Sequence, residues 1–160
     1  MMNSEPTPPG GDIASVLDQA LSDILEKSAF MFSEKADGPK PAFGDAPCAC
    51  VSIRFDGPVH GILHMTAPAD FGVQVAANTL GEDPATIPTD QAADAMKELL
   101  NVICGRLLEL YSGAHAIFNL SIPTLTTMTP TEVIVLSRSP GSAVFIVDET
   151  PVLLHVEITP

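Results

Sequence analysis

The stretch CACVSIRFDGPVHGILHMT, residues 48–66, decides the fold. Its two β-rich runs, Cys48 to Phe55 and Val59 to Thr66, are separated by Asp56-Gly57-Pro58, a tight turn that fits an antiparallel hairpin. Four further β-rich runs follow toward the C-terminus: Ala114 to Ser121, Thr131 to Arg138, Ser142 to Asp148 and Val152 to Thr159. Ser139-Pro140-Gly141 and Glu149-Thr150-Pro151 mark the last two turns. Consecutive strands joined by short turns favour a mostly antiparallel sheet of about six strands.

Helical periodicity supplies the cover for that sheet. Asp12 is a good N-cap, and Ile13, Val16, Leu17, Ala20, Leu21, Ile24, Met31 and Phe32 put an apolar face on a helix running to about Glu34. Lys35 to Pro47 is read as a loop. Ala69 to Leu80 looks helical and meets a natural C-cap at Gly81, and a long helix is expected from about Asp90 to Ser112, stopped by Gly113. The expected fold is therefore α+β, with two long amphipathic helices packed on the sheet.

Composition bounds the function. The chain has 160 residues and 16.8 kDa, enough for one domain with its own core, expected over residues 12–160. Residues 1–11, with Pro6, Pro8, Pro9, Gly10 and Gly11, read as a disordered leader that lacks the basic and apolar regions of an export signal. Seven basic against 20 acidic residues leave a net charge of −13, which repels nucleic acid and anionic membrane. With 46% hydrophobic and only 17% charged residues, the acidity belongs to the surface of a folded chain. Three cysteines, an odd number, point to free thiols in a reducing compartment, and no apolar run approaches the ~18 residues of a membrane span. A cytoplasmic protein is expected.

The long helix carries the chemistry. Met96, Leu99, Leu100, Ile103, Leu107 and Leu110 fall within one arc of roughly 100°, the core face. Opposite them, Asp94, Glu98, Asn101 and Gly105 form one exposed row within roughly 60°. Leu108 lies beside that row, apolar on the wrong face for the core, and Gly105 removes bulk where a partner backbone could approach. Glu98 supplies an anion for a cation, and the Asn101 amide both donates and accepts hydrogen bonds, so it can orient a water without being a strong base.

The run Asp94-x3-Glu98-x2-Asn101, with Pro123 22 residues further on, resembles the signature of the CheC/CheX/FliY family of chemotaxis phosphatases. That resemblance implies hydrolysis of the aspartyl phosphate of a CheY-like response regulator. Glu98 would pair with the regulator's active-site lysine, Asn101 would hold the attacking water in line, Asp94 would support the site, and Pro123 would be structural. The regulator brings its own magnesium, so no metal or cofactor is expected in this chain. The family is built on an internal two-fold repeat. Laying the first helix on the third puts Ser22 on Asp94, Glu26 on Glu98 and Ala29 on Asn101, and a methyl group cannot orient a water. One active helix per chain resembles CheX rather than the two-site CheC, and implies a homodimer. The competing expectation is a non-catalytic docking module that binds a regulator or flagellar switch component through the same surface.

Other candidates carry less. Cys48 and Cys50 share a strand face, but zinc sites space their ligands more widely. Cys104 reads as packing. His60 and His64 also share a face, without a third ligand nearby, while His115 and His155 stand isolated in sequence. No Gly-rich phosphate loop, Gly-x-Ser-x-Gly or metalloprotease motif is present.

Overall fold

A computed structural model describes residues 12–36 and 43–160. The expected disordered leader, residues 1–11, and residues 37–42 of the expected loop lie outside the described residues. Helix α1 (Ile13–Ser28) begins at Asp12, whose carboxylate accepts the Ser15 N–H at 2.9 Å. The short strand β1 (Ser33–Lys35) follows, then the hairpin β2 (Cys48–Asp56) and β3 (His60–Pro68). Helix α2 (Phe71–Leu80) ends at Gly81, left-handed at φ 67°, and α3 (Thr89–Ser112) ends at Gly113. Strands β4 (Asn119–Leu120) and β5 (Thr124–Met128), helix α4 (Pro130–Ser137) and the hairpin β6 (Ser142–Val147) and β7 (Thr150–Thr159) complete the chain.

Among the described residues the seven strands form one antiparallel sheet in the order β1-β6-β7-β3-β2, with β4 and β5 both on the far edge of β2. Exchanging β1, β2 and β3 for β5, β6 and β7 reproduces that order, so a pseudo-two-fold axis passes between β3 and β7. Helices α1 and α3 bury Leu17, Leu21, Leu100 and Ile103 against Val51, Leu63, Met65 and Leu154 on one sheet face. The opposite face is partly covered by α4, whose Val133 joins Cys48, Val144 and Leu153 in a small separate cluster.

Several expectations are corrected. Helix α1 stops at Ser28, short of Glu34, because Phe30 turns left-handed at φ 53° while Ala29 and Met31 both donate to the Leu25 carbonyl. Met31 then tucks into the core and Phe32 points out, 68% exposed, so neither extends the apolar face of the helix. The run Thr131 to Arg138 is helical despite its β-branched residues. Thr129 Oγ1 accepts the Glu132 N–H and Glu132 Oε1 accepts the Thr129 N–H, a capping box that Pro130 follows at the first helical position. Burial agrees: Val133 is covered while Ile134 and Val135 are exposed, not the alternation of a strand. Ala114 to Ser121 forms a strand only at Asn119–Leu120, and β5 has no signature in the sequence because an exposed edge strand of sequence TLTTM shows no apolar alternation.

Candidate functional site

Helix α3 rises from Pro88 and presents its polar row away from the sheet. Asp94 and Glu98 are exposed, Asn101 is partly exposed, and Gly105 is exposed with nothing within 4 Å of the position a Cβ would take. The spacing stacks the side chains of Asp94, Glu98 and Asn101 about 6 Å apart along the helix. Asp94 and Glu98 have no ion-pair partner among the described residues. Of the two cations of α3, Lys97 makes no ion pair among the described residues, and Arg106 pairs with Asp23 of α1 at 2.9 Å and with Glu109 one turn on, tying the two long helices together.

Leu108 departs from expectation. It is only 3% exposed and belongs to the main core, so it is no part of an exposed docking row. Toward the C-terminal end of α3 the segment carrying Phe118 and Leu120 closes over that side of the helix, and Leu108 shares a cleft of about 220 Å³ with them and with Gly105. Pro123 sits between β4 and β5, the two pieces that share one edge of β2.

The first helix lacks more than an amide. Ala29, at the position matched to Asn101, is fully buried and is the C-cap of α1. Where α1 stops, a cleft of about 390 Å³ opens between its end, α2 and α3. Ala29, Val75, Ala76 and Leu99 give it apolar walls, and Asp94 and Glu98 stand along its α3 side. Thr79 of α2 holds the corner by donating to the Val75 and Ser28 carbonyls at 2.8 and 3.3 Å. Sequence spacing offered no signal for this cleft, since its walls come from three separate helices.

The histidines and cysteines are arranged on the sheet and in the core. His155 is not isolated: its ring stacks on His64, and each histidine Nδ1 meets a serine Oγ, His64 with Ser52 at 2.6 Å and His155 with Ser142 at 2.7 Å. Cys104 is fully buried, and burial pushes its thiol up to about 12, which suits a packing residue. Cys48 and Cys50 lie on the same sheet face, both buried. Among the described residues, His, Cys, Asp and Glu nowhere gather in threes as a metal site requires, and no helix is long and apolar enough to cross a membrane.

The architecture is thus an antiparallel sheet with internal two-fold order, covered by two long helices of which one bears the Asp94, Glu98 and Asn101 row. The family described as chemotaxis phosphatase CheX matches residues 49–146 of the sequence. Solved structures of the same fold include CheX from Desulfovibrio desulfuricans, at 16% identity and a TM-score of 0.63 over 91% of this chain and 98% of that one. The CheX of a CheX-CheY-BeF3-Mg+2 complex from Borrelia burgdorferi matches at 15% identity and TM-score 0.62, covering 93% and 99%. FliY of Thermotoga maritima shares the fold more distantly, at 10% identity and TM-score 0.61 over 92% and 87%. Among curated protein sequences none matches significantly. The chain belongs to the CheX family.

Proposed function

We propose that this protein removes the phosphoryl group from a CheY-type response regulator, using Glu98 and Asn101 of α3. The observation that carries the reading is the row of exposed Asp94 and Glu98, without ion-pair partners among the described residues, and partly exposed Asn101 on a helix otherwise anchored by its buried face. An acyl phosphate is already labile, so the missing component is a positioned water. The Asn101 amide oxygen accepts a hydrogen bond from that water and aims it at phosphorus opposite the aspartyl oxygen. As the new P–O bond forms, the P–O bond to the regulator's aspartate breaks. Inorganic phosphate leaves and the free carboxylate remains. Glu98 anchors the helix by pairing with the regulator's lysine, and Asp94 adds negative charge behind it. Magnesium comes with the regulator.

The test is phosphate release from phosphorylated CheY-type regulators of the source organism. The wild type should exceed spontaneous decay, and Asn101→Ala should lose ~100-fold or more of that acceleration. Glu98→Ala should raise KM more than it lowers kcat. If the wild type adds nothing to spontaneous decay with any regulator, the enzyme reading is wrong. Binding without acceleration would leave the docking module in its place.

The family reading carries a homodimer with it. Support comes from the outer edge of β4 and β5, unpaired among the described residues, together with Ile117 and Ile122, 82% and 85% exposed in the segments before and after β4. Light scattering should give twice the chain mass, and Ile122→Glu should halve it.

A further inference from the structure

We propose that the cleft between the end of α1, α2 and α3 is a socket for an apolar side chain that the response regulator carries close to its active-site lysine. The decayed half of the repeat would then dock the partner while α3 performs the chemistry. The proposal rests on the regulator-phosphatase reading and assigns a second, separate contact to it.

The socket follows from where α1 ends. Helix α3 continues from Asn101 to Ser112, whereas α1 ends at Ser28, just before the matched Ala29. The space left has apolar walls and measures about 390 Å³, room for an aromatic or branched aliphatic side chain. At its mouth, Leu80 is 49% exposed. Phe30, the residue after Ala29, is 69% exposed and held at φ 53°, a conformation that costs a bulky residue energy. A ring held in a strained backbone yet left in water gains nothing for the free protein.

Charge selects the occupant. Asp94 and Glu98 line the cleft without an ion-pair partner among the described residues, so an apolar side chain seated there should have a cation beside it. On the helix Lys97 falls on the far side of the acidic row from the cleft, and Arg106 is held by Asp23 and Glu109. Residues 1–11 contain no Lys or Arg side chain to supply it. A second copy packed face to face on this surface would bring the same acidic row against this one, at a net charge of −13 each. A regulator lysine that pairs with Glu98 meets the requirement, and because Glu98 itself lines the cleft, the surface beside that lysine would face it.

The experiment measures affinity and turnover separately. Binding of each CheY-type regulator, held active by beryllofluoride and magnesium, is titrated by fluorescence, and phosphate release is followed with the phosphorylated form. Leu80→Ala, at an exposed position, and Ala95→Phe, which fills the cleft from α3, should each weaken binding and raise KM about tenfold. The loss should appear in KM rather than kcat, while Asn101→Ala loses kcat and keeps its affinity. Val135→Ala, on the opposite side of the sheet, should leave both values unchanged. If Ala95→Phe fails to fold, as judged by circular dichroism, Leu80→Ala decides. Unchanged affinity in the folded cleft variants, beside an active wild type, overturns the socket and leaves the phosphatase reading intact. A wild type that neither binds nor dephosphorylates any regulator overturns both.

Discussion

His64 of β3 and His155 of β7 face each other as a directly paired couple across the pseudo-two-fold axis, their rings stacked with centroids 5.8 Å apart and planes 23° from parallel. Each is flanked by the serine directly opposite it on the next strand outward, Ser52 on one side and Ser142 on the other. The row Ser52-His64-His155-Ser142 thus carries the internal symmetry into side-chain detail that the aligned helices have lost.

This pair makes stability depend on pH. Burial pushes both imidazoles below their ordinary value of 6.5, with the neighbouring His155 adding to the effect at His64 and Glu157 opposing it at both. The folded chain therefore refuses protons that the unfolded chain accepts. Stability should be full above about pH 7 and fall as pH drops below the unfolded value. The carboxyls of Asp12 and Glu132 are also lowered, by the backbone hydrogen bonds they accept at the helix caps, and lose their contribution only in the lower window below their ordinary 3.8 and 4.5. Thermal melts at pH 8 and pH 5 should show a decline that His64→Gln with His155→Gln makes shallower. An equal decline in the double variant would assign the effect to other groups.

Two helical glycines should respond in opposite directions to the same substitution. At Gly105 a Cβ meets nothing, so Gly105→Ala should stabilise the free protein by about 1 kcal/mol through helix propensity. At Gly72 of α2 a Cβ would stand 2.6 Å from the Ala92 carbonyl oxygen of α3, and Gly72→Ala should destabilise by about 1–3 kcal/mol. Urea denaturation of both variants checks the pair. If Gly105→Ala also weakens regulator binding, the regulator approaches closely at that turn.

Helix α4 depends on its cap more than on its composition. Thr129→Ala removes one side of the reciprocal capping box and should cost about 1 kcal/mol. Amide exchange should quicken from Thr131 to Ser137, because fraying there uncovers Val133 and the sheet face beneath it. A variant with unchanged exchange would mean that packing of Val133 alone holds the helix.

Association with a regulator should be salt-sensitive. The net charge of −13 and the open row Asp94 and Glu98 act over the Debye length, which shrinks from about 10 Å at 0.1 M to about 3 Å at 1 M salt. The association rate measured by stopped flow should drop over that range while the dissociation rate changes less. Glu98→Gln should flatten the dependence, and a rate indifferent to salt in both proteins would argue against steering by this row.

Much of the molecule is legible from residue order because the physics is local. The hairpin of Cys48–Asp56 and His60–Pro68, the stops at Gly81 and Gly113, and the single-faced row of α3 all follow from turn chemistry and a repeat of 3.6 residues. Local reasoning fails where neighbours in space decide. Ile134 and Val135 favour strands, yet a capping box and the burial of Val133 make them helical. Leu108 is exposed on a helical wheel, yet Phe118 and Leu120 close beside it.

The sequence by itself determined the α+β class, the CheX resemblance and the positions of Asp94, Glu98 and Asn101 on one helical face, because periodicity and spacing are properties of a single segment. Only the tertiary structure decided that His64 meets His155, that Leu108 is core, and that the shortened α1 opens a cleft beside the acidic row. Those relationships join residues from separate strands and helices, and no period within one segment encodes the distance between two.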